Sequence, residues 1–155
     1  MTRARERPTR DQLARLGRFE RFAFRVLELM DRRLKGFWTW YQYRILVPFV
    51  SLFLSRRLRV EGTERLAALP GDASLLVVSN HRSFFDLFAV AYALYRRSGI
   101  RRRLYFPVRA NYFYQRPDGI LLNILMAGAS MFPPVFRDRT KLGFNRYTVA
   151  RLSAL

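Results

Sequence analysis

The only histidine of the chain, His81, lies five residues before a carboxylate, Asp86. An imidazole has an unperturbed pKa of about 6.5, so at neutral pH it can take a proton from a hydroxyl group. A carboxylate hydrogen-bonded to the other ring nitrogen fixes the tautomer and stabilises the imidazolium that forms. The two residue types therefore point to general-base chemistry on a hydroxyl.

The residues around this pair predict a turn between a strand and a helix. Residues 75–78 are a short, apolar run with two valines, which is typical of a buried strand. Residues 84–95 repeat apolar side chains at helical spacing, and Ser83 and Asp86 stand where a capping box places its two residues. His81 is then expected on a turn of the kind where α/β proteins carry their chemistry. The alternative is that Asp86 only caps the helix and that His81 is an ordinary turn histidine.

The heptapeptide Asn-His-Arg-Ser-Phe-Phe-Asp at residues 80–86 resembles the first motif of the glycerolipid acyltransferase family, Asn-His-x-Ser-x-x-Asp. The segment that precedes it is also similar to the family's lead-in, with Val-Glu-Gly-Thr-Glu-Arg-Leu at residues 60–66 and Leu-Pro-Gly at residues 69–71. The resemblance covers about residues 58–150. It implies an α/β fold with an acyltransferase-type sheet flanked by helices, here incomplete.

The resemblance also implies roles for the residues of the motif. In the family the histidine deprotonates the acceptor hydroxyl and the aspartate orients it, so the expected catalytic residues are His81 and Asp86, with Asn80 and Ser83 in support. The expected acyl donor is acyl-CoA or acyl carrier protein, without a further cofactor or a metal ion, and the expected acceptor is a lysophospholipid. A thioester is already activated, so one positioned base and an oxyanion donor suffice. The sequence has no cysteine, which excludes a thiol nucleophile.

A second candidate motif lies at residues 128–139, where an apolar run ends in Arg-Asp-Arg. The resemblance implies that an arginine of this motif binds the acceptor's phosphate, with Arg137 the better match and Arg139 the alternative. A planar guanidinium suits phosphate because it can donate two parallel hydrogen bonds. Pro133 and Pro134 depart from the family pattern, since proline cannot donate a hydrogen bond in a strand ladder. A solvated basic turn is the competing interpretation.

The N-terminal third of the chain is basic and amphipathic. Residues 11–35 place apolar side chains at three- and four-residue spacing among arginines, and Gly36 is the expected stop of this helix. Residues 37–54 are rich in aromatic side chains, but their uncharged apolar run covers only residues 45–54, half of the roughly 20 residues that a spanning helix needs. This pattern predicts helices that lie in a membrane interface. A helical hairpin packed on the α/β domain without lipid contact is the alternative.

These observations predict three regions. We expect a disordered basic tail at residues 1–10, interfacial helices forming a membrane-surface hairpin at residues 11–57, and the N-terminal part of an acyltransferase domain at residues 58–155. The family's third motif, Phe-Pro-Glu-Gly-Thr-Arg, does not occur in the sequence. The expectation is therefore a fragment, a truncated product or a degenerate copy of a longer enzyme, attached to the cytoplasmic face of the cell membrane.

The charge of the chain allows a second class of function. Its 29 lysines and arginines against 11 acidic residues give a net charge of +18, which alone would suit a non-catalytic protein that binds anionic membranes or nucleic acid. No zinc-ligand set, helix-turn-helix or RNA-recognition motif accompanies the charge. Nucleic-acid binding also has no use for the pair His81 and Asp86. The sequence therefore favours an O-acyltransferase of phospholipid synthesis, of the 1-acylglycerol-3-phosphate type, that works at an anionic membrane surface and binds no nucleic acid.

Overall fold

A computed structural model shows the chain as two compact units. Unit 1 comprises residues 1–38 and 105–155, and unit 2 comprises residues 39–104. The structure describes residues 7–70, 75–80, 83, 85–98, 100 and 103–154. Most of the expected disordered tail therefore lies outside the described residues. Each unit has a core of its own.

Unit 1 begins with two helices, α1 (Arg10–Ala14) and α2 (Arg18–Arg33). The predicted single helix over residues 11–35 is interrupted, because Gly17 adopts an extended conformation and takes the N-cap of α2. Gly36 does not end the helix as predicted. The break comes at Leu34, the C-cap of α2, and Gly36 lies inside α3 (Lys35–Tyr41).

The remaining elements of unit 1 are β1 (Val108–Arg109), α7 (Ala110–Phe113), α8 (Pro117–Ala127), β2 (Pro134–Val135), a 3₁₀ turn (Arg139–Lys141) and α9 (Leu142–Leu152). β1 and β2 pair in parallel, with Val108 opposite Pro134 and Arg109 opposite Val135. The two strands are joined through α7 and α8, which is the strand–helix–strand connection of α/β proteins. Among the described residues these are the only strands, so the structure is mostly helical with one small parallel sheet.

α8 ends in a left-handed (αL) C-cap that directs the chain toward β2. The N–H of Ala129 donates to the carbonyl of Asn123, and the N–H of Gly128 donates to that of Ile124. Gly128 has a φ of 56°, the left-handed conformation that glycine adopts without steric cost. This turn fixes where the segment that leads into β2 begins.

The core of unit 1 is aromatic and centres on Phe24 of α2. Its ring centre lies 5.8 Å from that of Phe132, 5.2 Å from that of Phe144 and 5.7 Å from that of Tyr147. Ala23 and Leu27 beside it are fully buried. Part of the apolar stripe that predicted a membrane-facing helix, including Ala23 and Leu27, therefore faces the core of unit 1. Phe22 and Leu29 of the same helix stay exposed.

The elements of unit 2 are a π-helical turn (Gln42–Leu46), α4 (Val47–Leu54), α5 (Glu64–Ala67), α6 (Asp86–Tyr92) and a second π-helical turn (Ala93–Arg97). Its core joins Val47 of α4 to Ala91 and Tyr95, with Tyr43 and Leu104 packed against them. The hydroxyl of Tyr95 donates to Oε1 of Gln42 at 3.2 Å. The helix predicted over residues 84–95 is thus present as α6 and the turn that follows.

α4 has two contrasting faces. Val47, Val50 and Ser51 are buried, whereas Phe49, Leu52 and Phe53 are exposed, Leu52 to 75%. Pro48 is the second residue of α4, which directly follows the π-helical turn at Gln42–Leu46, so it stands where the regular hydrogen-bond pattern of the helix is already interrupted. Within the described part of the chain, no helix is long and apolar enough to cross a membrane.

The predicted buried strand at residues 75–78 is wrong. These residues form neither helix nor strand, and their side chains are exposed, Leu76 to 91% and Val78 to 85%. An apolar run becomes a buried strand only where a neighbouring strand takes up its hydrogen bonds and another layer covers its faces. Among the residues that the structure describes, no strand pairs with this segment.

Candidate active site

Asp86 occupies the first turn of α6, and its carboxylate accepts two hydrogen bonds from Ser83. The N–H of Ser83 donates to Oδ2 of Asp86 at 2.8 Å, and the hydroxyl of Ser83 donates to Oδ1 at 3.3 Å. The same hydroxyl accepts from the N–H of Phe85 at 3.1 Å. Of the predicted capping box, the hydrogen bond from the N–H of Ser83 to the carboxylate of Asp86 is present, but the serine hydroxyl accepts from Phe85 instead of Asp86, and the N-cap of α6 is Phe85 instead of Ser83. Asp86 is half-buried and Ser83 is exposed.

Three residues of the motif lie outside the described residues, namely His81, Arg82 and Phe84. Asn80, predicted to support the motif, is exposed in a segment without regular structure. The predicted contact between the imidazole of His81 and the carboxylate of Asp86 stays a prediction.

Arg137 and Arg139 follow the carboxyl end of β2, and both side chains are exposed. The carboxyl ends of parallel strands are where open α/β sheets bind ligands. Within the described part of the chain, neither guanidinium has an ion pair or a hydrogen bond. The second motif thus presents two unpaired cations at the edge where an anionic ligand is expected.

Asp138, which separates the two arginines, does not neutralise them. Its Oδ1 accepts from the N–H of Thr140 at 2.9 Å and from the Thr140 hydroxyl at 2.7 Å, which caps the 3₁₀ turn. Its Oδ2 lies 3.7 Å from Nζ of Lys141. The hydrogen bonds from Thr140 are the main cause of the lowered pKa of Asp138, so the carboxylate stays charged at neutral pH. The aspartate therefore stabilises the turn, and both neighbouring guanidinium groups stay exposed.

Asparagine side chains take the place of strand neighbours on both sides of the Pro133–Pro134 sequence. Asn123, fully buried in α8, donates to the carbonyl of Met131 and accepts from its N–H, both at 3.1 Å. Asn145 of α9 does the same for Phe136, accepting at 2.9 Å and donating at 2.8 Å. The residues on either side of the two prolines, Met131 and Phe136, therefore have hydrogen-bonded backbone groups. β2 forms at Pro134–Val135 although it contains a proline.

Arg109 is a third exposed arginine near this edge, and the sequence motifs did not indicate it. It ends β1, and the register places it beside Val135, two residues before Arg137. The parallel pairing therefore brings the carboxyl ends of both strands, each with an exposed arginine, to the same edge. Only the register reveals this, because Arg109 and Arg137 are far apart in the sequence.

The structure brings the predicted residues together in two groups. Ser83 and Asp86 belong to unit 2, whereas Arg137 and Arg139 belong to unit 1. Among the described residues, no group of three or more histidine, cysteine or acidic side chains could hold a metal ion. Each group has a distinct chemical character: an acid that caps a helix, and a set of unpaired arginines at a sheet edge.

Comparison with known proteins identifies the family. Searches of curated proteins and of solved structures found no match. The model of the acyltransferase family matches residues 57–143, which is more than half of the chain. The matched range contains the heptapeptide at residues 80–86 and the arginines at the sheet edge. The resemblance inferred from the sequence is confirmed: the chain belongs to the glycerolipid acyltransferase family.

Proposed function

We propose that the protein transfers a fatty acyl chain from acyl-CoA or acyl carrier protein to a hydroxyl group of a glycerolipid phosphate acceptor such as lysophosphatidate. The observation that carries this proposal is the family match over residues 57–143, which includes both the histidine motif and the arginines after β2. A nucleic-acid-binding role, which the net charge of +18 would permit, receives no support from that match.

In this reaction His81 acts as general base. It takes the proton of the acceptor hydroxyl while the hydroxyl oxygen attacks the carbonyl carbon of the thioester. The carbon–sulfur bond breaks, the imidazolium returns the proton to the leaving thiolate, and the products are an ester and a free thiol. No covalent enzyme intermediate is needed, because the thioester is activated before it binds.

The hydrogen bonds of Asp86 are compatible with a second role as the partner of His81. Ser83 donates one hydrogen bond to each oxygen of this carboxylate, from its backbone N–H and from its hydroxyl. An ionised carboxylate has about four acceptor positions, so capping the helix leaves room for an imidazole N–H. The cap itself would hold the carboxylate in a fixed orientation at the start of α6, and this supports the proposal that Asp86 both caps the helix and orients the base.

We assign phosphate binding to Arg137 and Arg139, with Arg109 as a further candidate. Their exposure, their lack of ion pairs among the described residues and their place at the carboxyl end of β2 support this assignment. Two guanidinium groups can hold a phosphate by parallel hydrogen bonds that a lysine cannot reproduce.

Acyl transfer to lysophosphatidate by the full chain, with and without single substitutions, tests the proposal. His81→Ala should lower kcat by at least about 10²-fold, the low end for general-base catalysis, with unchanged circular dichroism. Arg137→Ala or Arg139→Ala should raise the KM for the acceptor without raising that for the acyl donor. Arg146→Ala, an exposed arginine on α9, is the matched control and should leave both KM values unchanged. Wild-type activity in His81→Ala would refute the role of the base.

We also propose that the protein works at the cytoplasmic surface of the cell membrane, attached through α4. The support is its exposed face of Phe49, Leu52 and Phe53, with exposed arginines at both ends of the helix, namely Arg44, Arg56 and Arg57. Contiguous exposed apolar side chains of this kind mark interaction surfaces, and the flanking positive charge suits anionic lipid headgroups.

Liposome sedimentation with increasing anionic lipid tests this attachment. The double variant Leu52→Ser/Phe53→Ser should lose most binding at every lipid composition. Arg56→Gln/Arg57→Gln should flatten the dependence on anionic lipid, since each well-placed arginine contributes about 1 kcal/mol. Leu29→Ser, an exposed leucine of α2, is the control for general surface hydrophobicity. Equal binding by all variants would favour a helix that only packs on protein.

A further inference from the structure

Glu20 is a carboxylate of α2 that is only 4% exposed and yet fully paired. Its Oε2 accepts from the N–H of Gly17 at 2.7 Å, and its Oε1 accepts from Nε2 of Gln115 at 2.7 Å. Nζ of Lys141 donates to both oxygens, at 2.8 and 2.9 Å. The attraction within a buried ion pair offsets the cost of removing both charges from water only when further hydrogen bonds satisfy them, as those from Gly17 and Gln115 do for Glu20. Glu20 therefore fixes the position of Lys141.

Lys141 is the last residue of the 3₁₀ turn that begins at Arg139. Its ammonium lies 3.7 Å from Oδ2 of Asp138 and 5.9 Å from the ring centre of Phe136, which is buried. Asp138 separates the two arginines, and Phe136 precedes Arg137. The lysine thus contacts residues on both sides of Arg137.

Two further side chains from the N-terminal segment reach the same turn. Nη1 of Arg15 donates to the carbonyl of Thr140 at 3.1 Å, and Nε2 of Gln12 donates to the carbonyl of Gly143 at 2.8 Å. Phe136, which lies before the turn, is also held, because its N–H and its carbonyl are both hydrogen-bonded to the side chain of Asn145. The backbone of residues 136–143 is therefore fixed at both ends, while the two guanidinium groups it carries stay exposed.

We propose that Glu20 is a positioning residue that, through Lys141, holds the 3₁₀ turn so that Arg137 and Arg139 are set in place before a phosphate binds. The inference rests on the proposed phosphate-binding role of these arginines. A ligand that must order a flexible backbone loses affinity to conformational entropy, and a turn fixed in advance avoids that loss.

Asp31 provides a matched control in the same unit. It is also on α2, is 1% exposed, and accepts from Nη2 of Arg151 at 2.9 Å and from the hydroxyl of Tyr105 at 3.0 Å. Arg151 lies at the C-terminal end of α9, whereas Lys141 precedes its first residue. Asp31 therefore ties α2 to the far end of α9, whereas Glu20 ties α2 to the turn that carries the arginines.

The test is the binding of sn-glycerol 3-phosphate to the full chain by titration calorimetry, with glycerol as the phosphate-free control. Glu20→Gln should weaken binding about tenfold, since a small misplacement of binding groups has an effect of this order or larger. Asp31→Asn should change binding less than about twofold, because it acts on stability and leaves the turn in place. Lys141→Met should repeat the effect of Glu20→Gln. Gln115→Ala, which removes one donor but keeps the ion pair, serves where the charge-removing variants fail to fold and should weaken binding a few-fold.

Two further variants separate the possible failures. If Arg137→Ala/Arg139→Ala binds sn-glycerol 3-phosphate as wild type does, the proposed phosphate site itself is wrong. If that double variant loses binding while Glu20→Gln and Asp31→Asn behave alike, the phosphate site stands and the positioning role of Glu20 is overturned. A positioning role also requires that Glu20→Gln has no further effect on binding once both arginines are alanine. An additive effect in that background would contradict it.

Discussion

The two groups of candidate residues are held in place in different ways. Asp86 is fixed by Ser83, three residues away, within the first turn of one helix. The segment that carries Arg137 and Arg139 is fixed by side chains that are remote in sequence, among them Glu20, which binds Lys141 across 121 positions. The hydrogen bonds between Ser83 and Asp86 are local in sequence, whereas the second arrangement forms only when the distant segments of unit 1 come together. Loss of the unit 1 core should therefore disable the arginines, and changes at residues 75–86 should stay local.

The largest expected effect is a difference in stability loss between a substitution in the core of unit 1 and one in the exposed segment of unit 2. Phe24→Ala removes a fully buried ring that contacts three other aromatic side chains and should lower the free energy of unfolding by about 3–5 kcal/mol. Leu76→Ala, at a side chain that is 91% exposed, should change it by less than about 0.5 kcal/mol. Urea denaturation followed by fluorescence and circular dichroism measures both values. A loss of about 2 kcal/mol or more in Leu76→Ala would mean that residues 75–78 are buried after all, as the sequence pattern predicted.

This contrast explains which parts of the structure the sequence could predict. The hydrogen bond between Ser83 and Asp86 and the helix predicted over residues 84–95 depend on spacing over a few residues, and both are present, the helix as α6 and the turn that follows it. The buried strand at residues 75–78 depended on neighbours that a single segment cannot specify, and that prediction was wrong. The stop at Gly36 was also wrong, because a glycine ends a helix only where the chain needs a left-handed residue.

The supports of the arginine segment were missed for the same reason. Glu20 and Lys141 are one acid and one base among many charged residues, and nothing in their spacing links them. Asn123 did leave a signal, because it is a polar residue inside the apolar run at residues 120–126. A lone asparagine in such a run indicates a buried amide that bonds to backbone, which is the role it has with Met131. The register that sets Arg109 beside Val135 had no comparable signal.

The ion pair between Glu20 and Lys141 predicts that the stability of unit 1 depends on pH. Burial raises the pKa of Glu20, but the hydrogen bonds from Lys141, Gln115 and Gly17 outweigh it, so the pKa lies below its ordinary value of 4.5. A carboxyl group whose pKa is lowered by folding stabilises the protein above its unfolded pKa, and this stabilisation is lost as the pH falls through the folded pKa. The free energy of unfolding should therefore decrease below about pH 4.5 more steeply in the wild type than in Glu20→Gln.

Urea denaturation at pH values from 7 to 3 checks this difference. In Lys141→Met the buried carboxylate keeps the cost of burial without its partner, so its folded pKa should rise and the acid-dependent loss of stability that Glu20 contributes should shrink or reverse in sign. Asp31→Asn should keep the wild-type acid dependence that Glu20 contributes. Identical pH profiles for the wild type and Glu20→Gln would show that the ion pair contributes nothing to stability.

The smallest expected effect concerns the local cap of unit 2. Ser83→Ala removes the hydroxyl that accepts from the N–H of Phe85 but keeps the backbone N–H that donates to Asp86. The loss should be about 1 kcal/mol or less, the usual value for one cap side chain. Amide hydrogen exchange should rise in the first turn of α6 and stay unchanged in α8 of unit 1. Faster exchange in α8 as well would mean that the cap affects the stability of the whole fold. The contrast between Asp86, held by a neighbour in sequence, and the arginine segment, held by remote residues, would then be wrong.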